Sequence, residues 1–189
     1  MESLEILSRL GFQEETVDVM ALARRQIGVS GFSLGAKYTE APEVVSCATF
    51  IKWLFARLGI WLPRRAIQQS YFGMPVLFEE IREGDLVFSE AQIKSNSYYL
   101  NPNEGIGHVS MVTSENSVIY ASNCGSRGVT ETDFKEFIGK RGVRCIRRIL
   151  PNHRELFRTL ICPGLFEVEC SDDIQWILFS CPFYQPLLE

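Results

Sequence analysis

Two histidines, His108 and His153, are all that the 189 residues provide, and the six cysteines (47, 124, 145, 162, 170 and 181) show no paired spacing. A zinc site needs clustered nitrogen and sulfur donors, so this scatter excludes the usual zinc patterns. No glycine-rich phosphate loop follows a strand, and no cofactor is expected. Positive charge is also scarce: 19 Lys and Arg against 23 Asp and Glu leave a net charge of −4. Binding along a phosphate backbone needs a concentrated basic surface, which the isolated pairs Arg24–Arg25, Arg64–Arg65 and Arg147–Arg148 do not make. No apolar run approaches the ~18 residues of a membrane span, and the greasiest tail segment, "IQWILFSCPFYQPLLE", holds two prolines. Neither nucleic acid nor membrane is therefore an expected partner.

The opening "MESLEILSRLGFQEE" carries acids where an export signal carries a basic region. The expected location is the cytoplasm, or the exterior by a route without a signal peptide. In that setting the cysteines are expected as reduced thiols, with a disulfide among Cys162, Cys170 and Cys181 the alternative for an exported chain. What is present is globular: 46% hydrophobic and 22% charged residues, with eight prolines, suffice for one sizeable core.

Along the chain, Val17, Met20, Leu22, Ala23 and Ile27 repeat at helical spacing and predict a helix over 14–27, with Gly28 as its C-cap. The Gly-, Ser- and Pro-rich stretch "GVSGFSLGAKYTEAPEVVS" reads as a long loop of the kind that walls a cleft. From Cys47, residues Phe50, Ile51, Leu54, Phe55 and Leu58 trace one helical face that ends near Gly59. Beyond the polar segment "LPRRAIQQSYFG", the period changes to that of strands at 85–90, 108–113, 117–122 and 143–150. The link "SEN" makes the middle two antiparallel neighbours. "TETDFKEFIG" (130–139) predicts a short helix with a cap and an acidic first turn, and "HRELFRTLI" another; two apolar stretches, 165–170 and 174–181, are of open type.

Chemistry centres on Cys47. A thiol in the first turn of a helix meets unpaired N–H groups and the positive end of the dipole, both of which favour thiolate. A histidine beside it would serve as general base and then as acid to the leaving amine. His153 lies in the polar turn "LPNHRE", whereas His108 opens a strand after "NEGIG", which makes His108 the better candidate. Each residue alone is compatible with simple packing; the order of segments adds weight.

That order is a helix, a loop with a tyrosine, "SCATFIKWLFARLGIWLPR", "REGDLVF", "GHVSMV" and "VIYAS". It resembles the NlpC-type cell-wall peptidases, a papain-like family, over about residues 16–150. The resemblance implies an α+β papain-like fold, with N-terminal helices and the nucleophile helix packed on a central antiparallel sheet. It also implies a domain at 1–150, with 1–15 an extension, and a C-terminal extension at 151–189 packed on it. By the same resemblance Cys47 is the nucleophile, His108 the base, and the substrate a peptide or peptidoglycan fragment cut beside a D-glutamyl residue.

Several positions depart from the family pattern. Tyr120 stands where a histidine, asparagine or glutamine usually orients the imidazole, and a phenol is a weaker acceptor. Asn123, three residues on, is the alternative orienter. Ser46 replaces the usual aspartate before the nucleophile and Ala48 the usual serine after it. Both are small enough to let substrate reach the oxyanion donors of Cys47. Tyr38 best matches the family's loop tyrosine near the oxyanion, and Asp85 in "GDLVF" is expected to serve a turn or a strand start rather than catalysis. Two readings follow: a thiol peptidase or other amide-directed acyl-transfer enzyme, and a silent relative that binds a peptide or protein in the cleft. Nothing in the pattern specifies oligomeric state.

Overall fold

The computed structural model describes residues 3–90, 105–114, 116–123, 127–150, 157–168 and 171–182. These form two compact units, residues 17–156 and residues 1–16 with 157–189. In chain order the elements are α1 (Ser3–Arg9), β1 (Gln13–Val17), α2 (Val19–Arg24), β2 (Gly31–Phe32), β3 (Val44–Val45), α3 (Cys47–Ala56), α4 (Ala66–Gln69) and β4 (Met74–Pro75). They continue with β5 (Leu86–Glu90), β6 (Ile106–Ser114), β7 (Ser117–Ser122), β8 (Gly128–Asp133), α5 (Phe134–Lys140), β9 (Val143–Arg148), β10 (Phe157–Ile161) and α6 (Ser171–Phe179).

In the larger unit one eight-stranded sheet runs in the order β3-β2-β8-β7-β6-β5-β9-β4. Its central pairings are antiparallel, and β2 with β3 is the parallel exception. The four expected strands become β5, β6, β7 and β9, and β6 meets β7 antiparallel as the short link required. Alternation sends Val87, Val112 and Val118 to one face, where Phe134 and Phe137 of α5 close over them with Ile146. Leu86, Phe88, Met111 and Ile119 project from the other face and are fully buried. Helix α3 packs on β6 and β7, and its expected stripe of Phe50, Ile51, Leu54, Phe55 and Leu58 is buried throughout. Gly59, at φ +73°, turns the chain out of α3 as its position predicts.

Three expectations need correction. The helix expected over 14–27 is confined to α2, because Asp18 caps it by accepting from the Ala21 N–H at 2.9 Å, and Gln13–Val17 is a strand instead. The β-branched Thr16 and Val17 suit that extended conformation, so the apolar spacing misled. In "TETDFKEFIG" the helix begins at Phe134; the capping residue is Asp133, and Thr130–Asp133 complete β8 against β7. Of the helix expected in "HRELFRTLI", residues 157–161 are strand β10, and His153 with its neighbours to 156 lies outside the described residues.

The smaller unit pairs β1 with β10 and packs α1 against α6. Its core joins Ile6, Leu7 and Phe12 to Leu178, with Phe12 stacked on Phe166. The open stretch at 174–181 is mostly α6, and Cys162 and Cys181 are both free thiols. Among the described residues no helix is long and apolar enough to cross a membrane.

Candidate active site

Cys47 opens α3 because Ser46 ends the extended chain before it, at φ −98° and ψ 172°. Ser46 Oγ accepts from the Thr49 N–H at 3.2 Å, and Thr49 Oγ1 accepts from the Ser46 N–H at 2.7 Å. This reciprocal cap fixes the first turn and commits the Ser46 side chain to the helix. Ala48 is buried next to the thiol, and its carbonyl accepts from Gln69 Nε2 at 2.9 Å; the same amide nitrogen also bonds the Pro63 carbonyl. Gln69 thereby ties α4 to the start of α3, a role with no signal in its polar local sequence.

The Cys47 side chain is nearly sealed, at 9% exposure. Burial pushes its pKa up, opposed by N–H groups of Val109, Ala48 and Cys47 itself and by the positive charge of Arg141. The balance leaves a thiol at rest, set among the donors that would stabilise a thiolate. Val109 follows His108 on β6. The β6–β7 register begins at Met111↔Ile119, whereas His108 and Val109 pair with Ser89 and Phe88 of β5. Through the Val109 N–H the start of α3 meets the sheet at β6, one residue past His108.

His108 is 5% exposed, and its Nε2 has no hydrogen-bond partner. Tyr120 meets the imidazole edge to face, with ring centroids 5.2 Å apart at 82°, and Phe137 of α5 lies 6.1 Å away. Arg141, at the C-terminal end of α5, is 8% exposed. Its guanidinium lies over Tyr120 at 5.5 Å and over Phe137 at 5.6 Å. Burial first, and then this cation, hold the His108 pKa well below the usual imidazole range. His108 therefore rests neutral, the form that can accept a proton. Arg141 acts on both Cys47 and His108, and its place after a short charged helix gives no sequence signal for that.

The remaining expected residues are spread more widely. Tyr38 is 41% exposed in a short turn, its ring 5.2 Å from Lys52 Nζ; Trp61 holds the same ammonium at 5.1 Å. Asn123 lies exposed just past β7. Asp85 is buried and accepts from Arg148 Nε and Nη2, both at 2.8 Å, and from the Arg82 N–H at 2.9 Å. It locks the start of β5 to β9, the structural role expected of it. Among the described residues no group of three or more His, Cys, Asp or Glu is placed to hold a metal.

Residues 30–148 match the NlpC/P60 family. A probable endopeptidase of Haemophilus influenzae is 29% identical over 106 residues, 56% of this chain and 59% of that relative, so the match spans less than two thirds of its length. Among solved structures, the peptidoglycan hydrolase RipB of Mycobacterium tuberculosis has a TM-score of 0.53 at 19% identity, covering 79% of this chain and 67% of that one. RipD of the same organism, described as a non-catalytic NlpC/p60 domain protein adapted to peptidoglycan binding, has a TM-score of 0.51 at 20% identity, over 70% and 95% of the two chains. At such identities these two likenesses are of fold, and the fold is papain-like α+β.

Proposed function

Because this chain belongs to the NlpC/P60 family, we propose that it is a cysteine peptidase acting on the stem peptide of peptidoglycan, at the amide between a D-glutamyl residue and the diamino acid after it. The observation that carries this reading is the Cys47 thiol, set at the head of α3 among the N–H groups of Val109, Ala48 and Cys47 and beside the strand of a neutral His108. The probable endopeptidase relative supports the same reaction class.

In this mechanism His108 takes the proton as Cys47 Sγ forms its bond to the amide carbonyl carbon. The N–H groups that face the sulfur also favour the charge that develops on the carbonyl oxygen. The C–N bond then breaks, imidazolium hands its proton to the leaving amine, and a thioester remains for water to hydrolyse through the same base. Burial of both groups makes this a general-base route from a neutral pair.

A second reading is favoured by one observation: Tyr120 meets His108 through its ring, in the place of a hydrogen-bonding orienter. In that reading the cleft binds a stem peptide without cutting it. Incubating purified peptidoglycan with the wild-type protein and with Cys47→Ala, then weighing the released fragments, decides between them. Fragments cut beside D-glutamate by the wild type alone support the peptidase; co-sedimentation of both proteins with intact peptidoglycan supports the binder.

A further inference from the structure

Two buried polar atoms lack partners at one spot of the sheet. His108 Nε2 is one, and Ser89 Oγ, on a fully buried residue, is another. The two residues are register partners, Ser89↔His108, across β5 and β6. Directly opposed side chains on one face have Cβ atoms about 4.5–5.5 Å apart, within reach of one another. Ser89 is also where the register of β5 slips against both neighbours, between Phe88 and Ser89 toward β9 and between Ser89 and Glu90 toward β6. Such irregularities recur beside active sites because they re-aim a side chain.

We propose that Ser89 is the positioning residue for the imidazole: His108 Nε2–H donates to Ser89 Oγ, and the third member of the site comes from β5, before the histidine in sequence. With Nε2, which has no partner, committed to Ser89, Nδ1 is the nitrogen that this arrangement leaves to take a proton from Cys47. Nδ1 has a free lone pair only in the tautomer that keeps its proton on Nε2, and a buried N–H in turn needs an acceptor. The bond requires the Ser89 hydroxyl to occupy the staggered rotamer that faces Nε2. Tyr120 and Phe137 then wall the ring while Ser89 fixes its rotation.

This inference rests on the Cys47–His108 pair of the proposed function, and two readouts separate the two ideas. Nitrogen-15 NMR reports the His108 tautomer directly; with two histidines in the chain, His108→Ala assigns the signal. Iodoacetamide labelling of Cys47 across pH reports its coupling to the base. The variants are Ser89→Ala, Ser89→Val and Ser89→Thr, of which the last two match in size and differ in the hydroxyl. The expected result is an Nε2-protonated tautomer in wild type that becomes mixed in Ser89→Ala and Ser89→Val. Cys47 labelling near neutral pH falls about tenfold in both, the factor one hydrogen bond is worth, and Ser89→Thr restores both signals. A His108 spectrum and a labelling profile that stay at wild type in Ser89→Ala overturn the proposal. Labelling indifferent to His108→Ala, with a tautomer that still answers to Ser89, refutes the peptidase reading and leaves the Ser89–His108 bond standing.

Discussion

At the level of single residues, Arg141 has the most to do without touching a reacting atom. Its charge favours the thiolate of Cys47 and opposes an imidazolium at His108, so removing it moves both groups upward. In Arg141→Met the labelling profile of Cys47 should shift to higher pH, and the NMR titration of His108 should shift up as well. A shift in opposite directions, or none, would contradict this electrostatic role. The places of Cys47 in the first turn of α3 and of His108 near the start of β6 are legible in the sequence, because a capped apolar stripe and an alternating strand each have a local signature. The places of Ser89, Gln69 and Arg141 are not, because strand register and burial set them. The small size of Ser46 suits substrate access, and the structure also commits its hydroxyl to the helix.

Among the elements, α3 is legible from end to end because its apolar stripe, cap and terminal glycine all agree. Ser46→Ala removes that cap and should cost about 1 kcal/mol in a urea melt. Strand β8 was hidden because Thr130–Asp133 offers the polar residues of a helix start, and only pairing with β7 makes the stretch extended. Its Glu131 binds Arg24 of α2 through two nitrogens, at 3.0 and 3.1 Å, and accepts from Thr113 of β6 and Ser117 of β7. The hydrogen bond from Arg24 is the main reason that its pKa falls to about 2. Glu131→Gln keeps the shape and loses the charge, and should destabilise by about 1–3 kcal/mol at neutral pH. At pH 2 the wild-type carboxylate is itself half protonated, so most of that difference should vanish there; a pH series of thermal melts reads it directly.

For the whole molecule, acid acts on two groups in succession. Unfolded imidazole gains its proton near pH 6.5, but buried His108 gains it only well below that. The stability that His108 contributes is therefore full above pH 6.5 and declines as pH falls toward its folded pKa. Glu131 follows the same sign at lower pH, its contribution full above about 4.5 and lost toward 2. Thermal melts from pH 8 to pH 3 should show a loss that begins below 6.5, and His108→Gln should flatten the part above about pH 5. An identical slope in the variant would place the acid sensitivity elsewhere.

The pairing of β1 with β10 has its own consequence for biogenesis. A chain leaving the ribosome exposes Gln13–Val17 early and Phe157–Ile161 more than a hundred residues later. Until the second strand emerges the first has no mate, whereas neighbours such as β2 and β3, or β6 and β7, lie close together along the chain. The small sheet thus closes after the strands between its two halves, and until then the nascent chain carries a bare edge of the kind that chaperones shield.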